Sequence, residues 1–110
     1  MSTQLKKGII ELCVLKLIAD EPLTGIYVIE RMKELLNVNE NTIYPILRRL
    51  TQQGLFDTHT IKSDIGAPRK VYTITKKGLE HLNHGLEDWK DFMHNVSNIL
   101  GGNYEKSILK

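Results

Sequence analysis

Three short helical patterns, two Thr-rich runs flanking a Gly/Pro loop and one long heptad seam predict a mainly α (α+β) fold. In that order they outline a winged helix-turn-helix domain with a long C-terminal dimerisation helix. The chain divides accordingly into residues 1–75 for the domain, 76–100 for the dimerisation helix and 101–110 for a flexible tail. At 110 residues and 41% apolar composition it supports one core, not two.

The first helix is expected from Gln4 to Ala19. Its apolar residues Leu5, Ile9, Ile10, Leu12, Cys13, Val14, Leu15, Leu17 and Ile18 cover most of a helical circumference, which implies burial on several sides. Pro22 ends the run, because a proline cannot continue a helix. Thr24 reads as the N-cap of a second helix reaching about Leu36, with Leu23 and Val28 placed as a hydrophobic staple. A short polar break from Asn37 to Asn39 precedes the third helix, "NTIYPILRRLTQQGLF", whose apolar stripe is Ile43, Ile46, Leu47 and Leu50. Gly54 is its expected left-handed C′ residue, with Leu55 making the hydrophobic contact of that cap.

"LFDTHTIK" and "RKVYTIT" read as strands, joined through "SDIGAP" into a hairpin with a loop longer than two residues. Leu79, Leu82, Leu86, Trp89, Met93, Val96 and Leu100 then recur at alternating steps of three and four, an a/d seam. The outer positions between them are polar, while Phe92 and Ile99 widen the stripe toward the domain. A helix of this length outruns a small three-helix core. Part of its seam needs another surface, a second copy of the chain is the simplest one, and all seven seam residues are the candidate dimer interface.

The net charge of +2 is mild but unevenly spread. Lys62, Arg69, Lys70, Lys76 and Lys77 against Asp64 give residues 62–77 a net +4. Glu80, Glu87, Asp88, Asp91 and Glu105 against Lys90 give residues 78–105 a net −4. Phosphate prefers the first region. Cys13 is the single cysteine, has no internal disulfide partner and reads as a small buried residue. Glu11, Lys16 and Asp20 interrupt the first apolar run, and no run approaches the ~20 residues that span a bilayer. The expected compartment is the cytoplasm.

There is no glycine-rich phosphate loop, no Cys/His metal spacing and no serine of the nucleophile-elbow type, so catalysis is not expected. His81, His84, Asp88 and Asp91 fall on outer heptad positions and read as a solvated face rather than metal ligands. Neither a metal nor a cofactor is expected.

The third helix carries features that a core helix does not need. A proline deep inside a helix costs about 3 kcal/mol, yet in the first turn its missing N–H is unpaired anyway. The helix is therefore expected to begin near Asn41 or Thr42. Its amino end would present Asn41, Thr42, Tyr44 and Pro45, with Arg48 one turn beyond Tyr44 on the same face. Helix amino termini favour anions, and the first turns of this helix read the major groove in such domains. Arg48 and Arg49 diverge by about 100°, so Arg48 is assigned to DNA and Arg49 to solvent or a carboxylate. Lys62, Ser63, Arg69 and Lys70 around the hairpin loop are candidate DNA contacts, as are Lys6 and Lys7 at the start of the first helix.

The stretches "LKKGIIELCVLKLIADEPLTGIYVIERM", "NTIYPILRRLTQQGLF" and "GAPRKVYTITKKGLEHL", with the tryptophan-bearing last helix, resemble the PadR family of bacterial transcriptional regulators. The likeness is to its small members with a single C-terminal helix. It implies a homodimeric repressor on a palindromic double-stranded operator, read by the third helix and the wing. The matching positions are Thr42, Tyr44, Pro45, Arg48, Arg69 and Lys70. The family often carries a further arginine after the wing glycine, where this chain has Ala67. In its multidrug-responsive branch a tryptophan of the last helix lines a pore between subunits that takes flat aromatic effectors. Trp89 matches that tryptophan, with Met93 one turn on. Two other readings remain open: a winged-helix module that binds protein instead of DNA, and a dimeric carrier of small molecules.

Overall fold

The computed structural model describes residues 3–101, with side chains from residue 7 onward. Along it run α1 (Thr3–Asp20), β1 (Leu23–Thr24), α2 (Gly25–Leu36), α3 (Glu40–Gln52), β2 (Phe56–Ile61), β3 (Arg69–Ile74) and α4 (Lys76–Gly101). The side chain of Lys6 and, past Gly101, the expected tail lie outside the described residues.

The first three helices enclose the core. α1 buries Ile10, Val14, Leu15 and Ile18 and half-buries Ile9, Leu12, Cys13 and Leu17, as its nearly continuous apolar surface requires. α2 adds Val28 and Met32, and α3 adds Ile43, Ile46, Leu47 and Leu50. Thr24 caps α2 by accepting the Tyr27 N–H on Oγ1 at 3.2 Å. Thr24→Ala should lower the unfolding free energy by about 1 kcal/mol, read from the urea midpoint; an unshifted midpoint would show the cap to be idle.

The break between α2 and α3 is less polar than its composition suggests. Asn37 takes the left-handed conformation, φ 54°, and the Val38 N–H then returns to the Met32 carbonyl at 3.4 Å. That turn folds Val38 into the core, where it is 8% exposed. A single apolar residue between two asparagines carries no period, which is why the pattern hid it.

α3 begins at Glu40, earlier than expected, with Asn39 as N-cap. Pro45 therefore sits in the second turn, and the Asn41 carbonyl loses its usual donor four residues on. Asn41 and Pro45 are both exposed, so water can take that carbonyl. At the other end Gly54 has φ 79°. Its N–H reaches the Thr51 carbonyl at 3.0 Å, and the Leu55 N–H reaches Leu50 at 2.9 Å. These are the two bonds of a Schellman motif, and Leu55 is buried as its apolar contact.

The sheet has three strands in the order β1-β3-β2, all antiparallel. β1 was not anticipated: Leu23 pairs with Tyr72 and Thr24 with Val71. Two residues are too few to show alternation, and only their partner strand makes them a strand. β2 and β3 pair from Phe56↔Ile74 to Ile61↔Arg69. Only Phe56 and Tyr72 are fully buried along this hairpin, ring to ring at 6.1 Å and 79°. Val71, Thr73 and Ile74 are half-buried at its base, and the exposed remainder of β2 with Arg69 and Lys70 projects from the domain.

α4 is 26 residues long, about 39 Å at 1.5 Å per residue, and the molecule measures 55 × 27 × 25 Å. It is not a segment apart. Its first turns complete the core: Leu82 is 2% exposed, and Gly85 lies where a Cβ would strike Leu12 Cδ2 of α1 at 2.4 Å. This corrects the reading of the whole seam as an intersubunit surface. Leu82 is spent inside its own chain because α4 crosses the domain before leaving it, and half-buried Leu86 packs beside it. Further along, Phe92, Met93, Ile99 and Leu100 are 56%, 38%, 82% and 81% exposed. No helix among the described residues is long and apolar enough to cross a membrane.

Candidate nucleic-acid interface

Four apolar residues of α3 turn inward, so its remaining face is set by the helical repeat. Asn41, Thr42, Tyr44, Pro45 and Arg48 are all exposed. Arg48 lies one turn beyond Tyr44, with its guanidinium carbon 5.8 Å from the ring centroid, a cation–π contact on the outer face. Arg49 turns the other way and pairs with Glu11 of α1. The two arginines therefore face different ways, as their separation of about 100° requires, and Arg49 meets the carboxylate expected for it.

The hairpin and α3 share a cleft of about 420 Å³ whose rim carries Tyr44, Arg69 and Lys70. Its floor includes Gly25 and Tyr72. The ring of Tyr72 lies against Gly25, where a Cβ would sit 3.2 Å from Cε1. Burial, and then the neighbouring Tyr44, hold the Tyr72 phenol above its ordinary pKa, so it remains a neutral hydroxyl. β1 makes this closeness possible, because it fastens β3 to the amino end of α2.

A second cleft, about 440 Å³, lies between α1 and α3 and is lined by Lys7, Asn41, Thr42, Pro45 and Arg49 among others. The expected residues thus fall into two adjoining sets, one toward the hairpin and one toward α1, with Arg48 exposed on α3. Lys62 and Ser63 line neither cleft. Ser63 serves its own loop: Oγ donates to the Ile65 carbonyl at 2.8 Å and accepts the Ile65 N–H at 3.3 Å.

One group escaped the sequence reading altogether. Thr75 is the N-cap of α4, accepting the Gly78 N–H at 2.9 Å. Its hydroxyl also donates to the Gly54 carbonyl at 2.7 Å, just past the end of α3. The signal available in the sequence was a threonine immediately before the last helix with a glycine three residues later.

On the opposite side an apolar groove of about 340 Å³ runs between α1, α2 and α4, lined by Leu12, Cys13, Met32, Leu36, Leu86 and Trp89 among others. Trp89 is on this groove and Met93 is not. Burial pushes the Cys13 thiol up from its usual pKa, so little thiolate forms there. No cluster of potential metal ligands occurs among the described residues.

Three helices, a strand-anchored hairpin and a long final helix that leaves the core define a winged helix-turn-helix protein. The chain belongs to the transcriptional regulator PadR-like family, whose model matches residues 14–84. Among solved structures it is similar to a PadR-like transcription factor from Bacteroides fragilis, at 36% identity and a TM-score of 0.76, over 88% of this chain and 95% of that one. A PadR-like regulator from Bacillus cereus matches at 33% identity and a TM-score of 0.79, over 90% and 98%. Bacillus subtilis PadR, solved in complex with operator DNA, matches at 27% identity and a TM-score of 0.65, over 71% of this chain and 46% of that one. Comparison with curated protein sequences finds no match.

Proposed function

We propose that the protein is a cytoplasmic, homodimeric repressor that occupies a palindromic operator through α3 and the hairpin. The observation that carries this is the joining of Tyr44 with Arg69 and Lys70 around one open cleft, beside exposed Arg48. That geometry suits a duplex: α3 enters a major groove, while the hairpin cations reach the adjoining phosphates. The relative from Bacillus subtilis, solved on its operator, supports the same partner. The exposed apolar stripe at the end of α4 supports the dimer, since a contiguous row of such residues at heptad spacing marks an association face. A flat aromatic effector entering beside Trp89 would change the packing of α4 and so release the DNA.

Gel-shift titration on the DNA upstream of its own gene, at several salt concentrations, tests the reading. The Arg69→Ala/Lys70→Ala variant should flatten the slope of log affinity against log salt by about 3.6, at about 0.9 for each of roughly four phosphates per dimer. Binding that ignores salt, or no binding, would favour a protein-binding module instead.

A further inference from the structure

The turn that leaves α3 and the residues that open α4 are joined by a set of hydrogen bonds. The Thr75 hydroxyl donates to the Gly54 carbonyl at 2.7 Å and lies 3.1 Å from that of Leu55. The Thr75 N–H donates to the same Leu55 carbonyl at 3.1 Å. Lys77 Nζ donates to the Gln53 carbonyl at 2.9 Å, and the Gly78 N–H closes on Thr75 Oγ1 at 2.9 Å. At Gly78 the two backbones are so close that a Cβ would lie 2.1 Å from the Leu55 carbonyl oxygen.

The chemistry is complementary. A helix leaves carbonyls without donors at its C-terminus and N–H groups without acceptors at its N-terminus. Here the exit of α3 supplies the carbonyls of Gln53, Gly54 and Leu55, and the entry of α4 supplies the donors. Thr75 uses both functions of one hydroxyl, as acceptor from α4 and donor to the turn after α3. That turn is itself rigid, because its Schellman bonds tie it to α3. The hairpin base is included, since Phe56↔Ile74 pair immediately inside the contact.

We propose that Thr75 is a positioning residue that locks the reading head to the last helix, so that α4 and α3 turn as one body and the packing of α4 dictates half-site spacing on DNA. This rests on the dimeric, operator-binding reading above. Without the lock, the entry of α4 shifts against the turn after α3 while Leu82 and Gly85 still pack α4 on the domain. That small change of angle lets the head tolerate operators of different spacing.

The test uses the full-length protein and a duplex that the wild type itself selects from a random pool. Variants of that duplex have the centre lengthened or shortened by one or two base pairs, and affinities are read by fluorescence anisotropy. The wild type should discriminate sharply. Thr75→Val keeps the shape and removes both hydrogen bonds; the ratio of affinities, selected over shifted spacing, should fall roughly tenfold, the size of one lost anchor. Thr75→Ser should restore it. Merely weakened folding would lower all affinities together and leave the ratio intact. If circular dichroism shows Thr75→Val unfolded, Lys77→Met decides, since it loses only the exposed contact to Gln53 and should lower the ratio in the same direction. A wild type that discriminates beside variants that do so equally overturns the lock. A wild type indifferent to spacing overturns the dimeric reading beneath it.

Discussion

Gly78→Ala should cost the domain about 3 kcal/mol, at the upper end for overpacking, and lower its melting temperature by roughly 15 °C at this size. The added Cβ would lie 2.1 Å from the Leu55 carbonyl oxygen and 2.8 Å from Ile74 Cγ1. The first obstacle is backbone, which no rotamer change can move. Relief requires α4 to shift away from the end of α3, opening the contacts of Thr75 and Lys77. Urea titration followed by Trp89 fluorescence measures the loss. Gly8→Ala is the control: nothing lies within 4 Å of its Cβ position, and alanine is the better helix former by up to about 1 kcal/mol. Equal stability of the two variants would show that the close approach at Gly78 is not a real constraint.

The second large effect is on recognition. Tyr44→Ala and Arg48→Ala should each lower the preference for operator over random duplex by roughly ten- to a hundredfold, about 1–3 kcal/mol per lost base contact. Both residues are exposed, so their melting temperatures should match the wild type. Arg48→Lys should not rescue, because an ammonium lacks the planar fork of donors that pairs bidentately with a base edge. Arg49→Ala should do the reverse, weakening stability through loss of the Glu11 pair while sparing discrimination. Tyr44→Ala and Arg48→Ala variants that retain full discrimination would move the reading face elsewhere on the domain.

Much of the candidate face was legible in advance because it depends on one helix. Once Ile43, Ile46, Leu47 and Leu50 are given to the core, the repeat puts Tyr44 and Arg48 outside and sends Arg49 aside. The same holds for the cap at Thr24 and the left-handed Gly54, whose residues act on neighbours three to five positions away. Pro45 stands in the second turn rather than the first because α3 begins one or two residues earlier than expected, and an exposed carbonyl at Asn41 loses little by facing water. Val38 and β1 were missed because each is defined by what it touches, not by a period.

The seam shows the limit most clearly. Its spacing correctly announced a long helix, yet spacing is blind to which copy of the chain each residue faces. Leu82 went to its own core and Leu100 to the outside, although both occupy seam positions.

Local periodicity, capping chemistry and turn residues, which act over a few positions, were enough to establish the order of elements and the outward face of α3. What only the tertiary structure decided is everything joined across twenty or more residues: the cleft shared by Tyr44 and Arg69, and the closure of Thr75 on Gly54. Those contacts arise when separate elements fill one core, and the energies that select them belong to the packed whole rather than to any window of sequence.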